Sequence, residues 1–280
     1  MSLVAEPHEL NRSFDWQPHP GPYRLISDEQ ARAYDEDGFF VLEDVIPAPM
    51  IERIIAEIDP FEAELEAVLR EAEGGRIFIA RADKLTFTVH LVAQSALLHE
   101  FAGSDLFADL CADLIGPDVR FYWDQAVYKK PAPDATFPWH QDNGYAFIEP
   151  QQYLTCWIPL TDATEDNGCP IVVPGIHRQG TLAHRLTDDG FVCLEDPEGA
   201  VAVPARAGSI VVFSSLTPHC TGPNLTEDVR KSYILQYAVD PSVILWEGED
   251  GNVDHTAVDD PERRFKLLEA GRRVTASGGS

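Results

Sequence analysis

The chain has 280 residues, 44% of them hydrophobic and 24% charged, which is enough apolar material for a large core and too much for a disordered chain. Lys and Arg total 21 against 47 Asp and Glu, a formal charge of −26, so the composition argues against a nucleic-acid binder and against adhesion to anionic membranes. The odd cysteine count (Cys111, Cys156, Cys169, Cys193 and Cys220), with no CxxC pair, predicts free thiols in a reduced compartment. The first residues lack an apolar signal core and no apolar run reaches the length of a membrane span. The expectation is a soluble cytoplasmic protein acting on a small-molecule substrate, with no obligate protein partner.

Residues 1–24, rich in Pro, His and aromatics, read as a loose arm. Ser27 with Gln30 three residues on forms a capping box and predicts a helix over 28–38. Residues 39–45 read as a short strand. Pro47 and Pro49 then open an amphipathic segment from Met50 to about Ala72, with Ile51, Ile54, Ile55 and Ile58 at helical spacing. Pro60 is expected to break or kink this helix, and Gly74-Gly75 to end it. Another helix is predicted from Ser104 to Ile115. After Gly116 the pattern changes to short β-type runs, at 121–130, 153–160, 169–174, 208–213 and 231–239, separated by Gly, Pro and Asp-Asn clusters. Short strands behind a helical front half predict a mainly β fold, sandwich or barrel, with flanking helices. No linker or internal repeat divides the chain, so 1–280 is read as one domain with a frayed tail over 271–280.

The chemistry concentrates in Trp139-His140-Gln141-Asp142. On a strand, residues two apart share a face, so the His140 imidazole and the Asp142 carboxylate converge. His219, just after the run at 208–213, supplies a third ligand from another strand. Two histidines and one carboxylate make the facial triad of non-haem Fe(II) oxygenases, which leaves coordination positions open. A His-x-Asp pair is common by itself, and Arg230, eleven residues beyond His219, adds the discriminating element. At the start of a strand its guanidinium grips a carboxylate with two parallel donors, and Ser232, on the same face, adds a hydroxyl. 2-Oxoglutarate has that need, one end chelating iron and the far carboxylate requiring a cation. The alternative for Arg230 is a solvated partner for Glu227 or Asp228.

Four stretches, YWDQAVYKKP, PWHQDNGY, CWIPLTDATEDNGCPIVVPGIHRQG and PHCTGPNLTEDVRKSY, together resemble the phytanoyl-CoA dioxygenase family of iron- and 2-oxoglutarate-dependent oxygenases, over about residues 39–238. The resemblance implies a double-stranded β-helix, a cupin-like jelly roll, with helices packed on one sheet. It implies His140, Asp142 and His219 as the iron ligands, and Arg230 and Ser232 as the 2-oxoglutarate clamp. On the run 121–130, the face of Trp123, Gln125, Val127 and Lys129 is expected to point into the barrel. The equivalent family strand helps to hold the cosubstrate, which nominates Gln125 and Lys129, with a surface lysine as the alternative for the latter. Trp157 resembles a tryptophan lining the iron pocket, an ordinary core aromatic being the other reading, and Thr155 shares its face. His177 resembles a histidine at the pocket rim, and Tyr145 is expected to wall the substrate pocket. His90, His99, His184 and His255 belong to no constellation. The implied activity uses Fe(II), 2-oxoglutarate and O2 to hydroxylate an aliphatic carbon of a small metabolite or acyl substrate, releasing succinate and CO2. Chlorinating members of the family lack the carboxylate ligand, so Asp142 favours hydroxylation. The alternatives are a phytanoyl-CoA-type acyl-CoA 2-hydroxylase and a non-catalytic cupin-like binding protein. The acidity and the missing basic cluster make a small free acid, amino acid or secondary metabolite as plausible as a CoA ester.

Overall fold

In the computed structural model, which describes residues 5–248 and 251–274, the front of the chain is helical and the remainder is built from short strands. Helix α1 (Asp28–Asp37) starts on the expected capping box: Ser27 Oγ accepts from Gln30 N, and Gln30 Oε1 accepts from Ser27 N. Gly38, at φ 86°, takes the left-handed position that ends the helix, and strand β1 (Phe39–Leu42) follows at once. Helix α2 (Ala48–Glu71) runs through Pro60, which corrects the expected break. Ile51, Ile54 and Ile58 before the proline and Leu69 after it are all buried. Four buried aliphatic side chains, each worth roughly 1.5–3 kcal/mol, outweigh the about 3 kcal/mol that an interior proline costs. A short helix, α3 (Ala96–Ala102), precedes the predicted one, α4 (Asp105–Leu114).

The remaining main strands are β2 (Leu85–Val89), β3 (Val119–Lys129), β4 (Phe137–His140), β5 (Leu154–Pro159), β6 (Pro170–Val172), β7 (Ile210–Ser214), β8 (His219–Thr221) and β9 (Arg230–Val239). A large antiparallel sheet has the order β1-β7-β5-β9-β3-β2 and continues into a hairpin over 76–81. A smaller antiparallel sheet places β6 and β4 on either side of β8. Side chains alternate along a strand, so the central strands of the large sheet bury two different faces. Leu154, Cys156 and Ile158 of β5, with Tyr233, Leu235 and Tyr237 of β9, pack with residues of all four helices. Trp157, Ile234, Val127 and Phe213 point the other way, into a second cluster shared with Val172 of the smaller sheet. The fold is β-dominated, like a double-stranded β-helix, with its helices on one side of the large sheet.

Three regions not read as strands in the sequence nonetheless hold them. These are the 76–81 hairpin with β2, a hairpin over 185–192, and a third sheet joining 147–149, 243–247 and 253–257. The two hairpins pair locally, whereas β2 takes its register from β3 and 147–149 takes its from 243–247, partners far away in the chain. The segment read as a loose arm is hydrogen-bonded to the body: Asn11 Nδ2 donates to the carbonyls of Gln179 and Thr181, and Pro7 bridges to Leu182. In the tail, Arg272–Arg273 pair with Glu269 and Leu268 instead of fraying, and 275–280 lie outside the described residues. All five cysteines are free thiols, Cys220 being the least buried. No helix among the described residues is long and apolar enough to cross a membrane.

Candidate metal centre and its two cavities

Antiparallel register sets His140, the last residue of β4, directly opposite His219, the first of β8, with ring centroids 4.1 Å apart. Asp142 is not on the strand. β4 ends at His140 and residues 142–144 form a short helical turn, so strand periodicity is not what aims the carboxylate. The turn brings Asp142 Oδ1 to 3.8 Å from both His140 Nε2 and His219 Nε2. One ligand atom from each residue lies within 4.8 Å of the others.

The outer atom of every member is already engaged. His140 Nδ1 is 2.8 Å from the Pro138 carbonyl and His219 Nδ1 is 3.0 Å from the Thr217 carbonyl. A carbonyl only accepts, so both Nδ1 atoms carry the proton and both Nε2 lone pairs face the common point. Thr155 Oγ1 donates to Asp142 Oδ2 at 2.5 Å, which leaves Oδ1 for that point. Burial, with the neighbouring His219 next in weight, holds the His140 pKa well below the usual imidazole range, so the ring is neutral and able to ligate. Two imidazoles and one carboxylate suit Fe(II) and leave room for other ligands.

From this point a narrow cleft runs between the sheets to Arg230, past Thr155, Trp157 and Gln125. Arg230 and Ser232 share one face of β9, as their spacing predicts. Arg230 is 1% exposed, its guanidinium lies over the Trp157 ring at 5.4 Å, and its Nη1 donates to Ser232 Oγ at 2.6 Å and to the Val127 carbonyl at 3.3 Å. Nε has no partner, and among the described residues neither Glu227 nor Asp228 pairs with the guanidinium. Burial lowers its pKa to about 10. A buried cation with no anion is expensive, so the cleft is arranged for an anionic guest. Ser232 is fully buried; its hydroxyl donates to the Val127 carbonyl and braces the guanidinium. Lys129 is also fully buried, which removes the surface alternative, but it does not line the cleft. Its Nζ donates to Thr221 Oγ1 at 2.8 Å and to the carbonyls of Thr221 and Gly222, and burial, with Arg230 nearby, pulls its pKa down to about 6.

A second cavity, of about 450 Å³, opens on the other side of the metal point and shares His140, Asp142, Phe87, Gln125 and Phe137 with the cleft. Tyr122, Trp123, Tyr145 and Tyr153 wall it. His177 lines neither cavity: it is fully buried, 3.2 Å from the Asp35 carbonyl and edge-on to Trp16.

The residues that hold the metal turn escaped the sequence reading. His184 Nε2 accepts from Gln141 N at 2.9 Å, while its Nδ1 donates to the Leu182 carbonyl. The Gln141 side chain donates to the carbonyls of Gly180 and Leu216 and accepts from Leu182 N. Asn143 accepts from Ile148 N and donates to Thr181 Oγ1. Gly144 is required by close approach, since a Cβ there would meet the His184 ring at 2.1 Å. The one local cue that could have flagged this turn is the Asn143-Gly144 pair, which was not read as one; His184 lies 43 residues away from Gln141.

The family model for phytanoyl-CoA dioxygenase (PhyH) matches residues 34–232. A probable phytanoyl-CoA dioxygenase of Caenorhabditis elegans is 24% identical over 238 residues, which cover 77% of this chain and 76% of the relative. The ectoine dioxygenase of Sphingopyxis alaskensis is 25% identical over 239 residues, 76% of each chain. Among solved structures, EvdO2 from Micromonospora carbonacea var. aurantiaca complexed with 2-oxoglutarate is similar with a TM-score of 0.60 and 26% identity, over 77% of this chain and 91% of that one.

Proposed function

The chain belongs to the phytanoyl-CoA dioxygenase family, and from that premise we propose that it is an Fe(II)- and 2-oxoglutarate-dependent dioxygenase that hydroxylates a small molecule. The observation that carries the reading is the convergence of His140 Nε2, Asp142 Oδ1 and His219 Nε2 with their outer atoms already bonded. When bound, iron and 2-oxoglutarate supply O2 activation and the insertion of one oxygen atom into a C–H bond, with succinate and CO2 as co-products. The protein's part is placement. His140, Asp142 and His219 hold the metal, and Thr155 fixes which Asp142 oxygen faces it. Arg230 takes the far carboxylate of 2-oxoglutarate; Trp157 and Ser232 fix the plane and position of the guanidinium. Lys129 acts one step removed, by holding Thr221 in the cleft wall. The two facing sheets, read as a jelly roll, keep bulk water from the reacting centre. Asp142 occupies the carboxylate ligand position, which favours hydroxylation over halogenation.

The test is succinate release from 2-oxoglutarate by the purified chain. Succinate formed only with Fe(II) and air is the expected result. A folded protein that binds iron but releases no succinate under any condition belongs to the binding-protein class instead.

A further inference from the structure

The cavity of about 450 Å³ beside His140 and Asp142 is lined by no Lys or Arg, and Asp142 is its one charged residue. Arg264 lies over the ring of Tyr122 at 5.2 Å without lining the space, and Arg76 and Arg81, which flank the lining residues 77–80 on the hairpin, do not line it either. A free acid or a zwitterion would therefore bring a carboxylate to a cavity with no cationic side chain in its lining, and a CoA ester would find no basic residue there. Apart from the tyrosines, the Trp123 indole, His140 and Asp142, the polar side chains that line the space are two amides on neighbouring strands. Gln125 of β3 pairs with Ile234 and Gln236 of β9 pairs with Trp123, so the two glutamines are diagonal neighbours on one face.

Hydrogen-bond logic fixes how these amides are turned. The Trp123 indole N–H can only donate, and it donates to Gln125 Oε1 at 3.4 Å, so the Gln125 NH2 is free to donate where Gln125 lines both the cavity and the cleft. The Thr155 hydroxyl spends its proton on Asp142, so its lone pair accepts from Gln236 Nε2 at 3.4 Å, and among the described residues Gln236 Oε1 is left without a partner. Gln236 is only 6% exposed, and it lines the cavity. The two amides thus offer one neutral donor and one neutral acceptor within an aromatic wall. Ile77 and Phe78, 47% and 55% exposed, continue that apolar lining out from the 76–81 hairpin into solvent.

We propose that the substrate is an uncharged, ring-bearing small molecule, stacked on the Tyr122–Trp123–Tyr145–Tyr153 wall, that accepts a hydrogen bond from Gln125 and donates one to Gln236. This rests on the oxygenase reading of the same site. It sets aside both the CoA ester and the small free acid or amino acid. Through Gln236 and Thr155 the substrate's donor is also linked to the iron ligand Asp142, so correct seating is felt at the metal.

Coumarins provide matched probes, read by fluorescence anisotropy under argon with Fe(II) and 2-oxoglutarate present. 7-Amino-4-methylcoumarin is neutral and carries both an N–H donor and a carbonyl; its 3-acetic acid derivative adds one negative charge; 4-methylcoumarin, followed by competition, lacks the amine. The neutral aminocoumarin is expected to bind at least about ten-fold more tightly than the acid, because a lone charge there stays unpaired. Octanoyl-CoA is expected not to displace it. The amine should be worth about five-fold in the wild type, the size of one neutral hydrogen bond, and nothing in Gln236→Leu. Equal or tighter binding of the acid, displacement by octanoyl-CoA, or no binding of either coumarin would overturn the proposal. The wild-type acid comparison decides the matter even if Gln236→Leu does not fold. The coumarin preference is read independently of the metal chelate, so selective neutral binding without any iron–2-oxoglutarate absorption would sink the oxygenase reading alone.

Discussion

Replacing Thr155 with valine removes one hydroxyl and almost nothing else. Thr155 sits inside β5, is 1% exposed, and its β-branched shape is that of valine, so the strand and its packing survive the change. What is lost is the 2.5 Å hydrogen bond to Asp142 Oδ2 and the longer contact with Gln236. Asp142 then keeps no donor on its outer oxygen, in a position where the carboxylate side chain is only 13% exposed. A hydrogen bond to a charged group is worth about 1.5–3 kcal/mol, which corresponds to roughly 10- to 150-fold in an equilibrium constant. Loss of a partner that orients a metal ligand typically costs about 10- to 100-fold in metal affinity, so the two routes agree. Thr155→Val is therefore expected to bind Fe(II) more weakly by that factor, while Thr155→Ser, which keeps the hydroxyl, stays close to wild type. Anaerobic calorimetric titration with Fe(II) measures the difference, and circular dichroism confirms folding. A folded valine variant with wild-type iron affinity would refute the assignment of Thr155 as the residue that aims Asp142.

Arg230→Gln should raise the half-saturation for 2-oxoglutarate by about 2–5 kcal/mol, or roughly 30- to 5000-fold, with Arg230→Lys intermediate and iron binding retained. Unchanged half-saturation in a folded variant removes Arg230 from the site. The acid side of the stability profile follows from buried imidazoles: His177 and His184 have pKa values pulled down to about 4, mainly by burial, against 6.5 when free. Because the folded values are depressed, stability is full above pH 6.5 and is lost as the pH falls from there towards 4, by up to about 1.4 kcal/mol per pH unit for each ring. His177→Gln should flatten the fall in urea midpoint between pH 6.5 and 5, and an identical slope would count against a neutral buried ring. Thiol counting in denaturant without reductant should find all five cysteines reactive; a protected pair in fresh protein would contradict the free thiols seen here.

The parts of the site legible in the sequence are those set by period two. Arg230 and Ser232, Thr155 and Trp157, and Gln125 with Val127 each lie on the face that alternation assigns, because every one sits inside a long regular strand. Asp142 was nominated for a reason that does not hold, since its position comes from a turn and not from the pleat. That turn is fixed by His184, Gln141 and Asn143 through bonds to loops that only the folded chain brings near. Lys129 shows the limit of a period-two argument: it shares the face of Gln125, yet its long side chain reaches Thr221 and Gly222 instead of the open cleft. Pro60 shows the reverse error, a strong local signal overridden by the buried stripe on both sides of it. The chamber's rim, on the 76–81 hairpin, was not read as strand despite its Ile-Phe-Ile run, and its role emerges only once β2 has docked beside β3.

The central claim is that one chain binds one Fe(II) through His140, Asp142 and His219 and then takes 2-oxoglutarate against Arg230. An anaerobic titration of Fe(II)-loaded protein with 2-oxoglutarate tests it directly, through the weak visible charge-transfer absorption of the chelate. The account predicts that the absorption grows to saturation at one equivalent of iron per chain and is absent in His219→Ala. A folded wild type that gives no absorption at saturating cosubstrate, or a His219→Ala variant that gives it undiminished, would contradict the account.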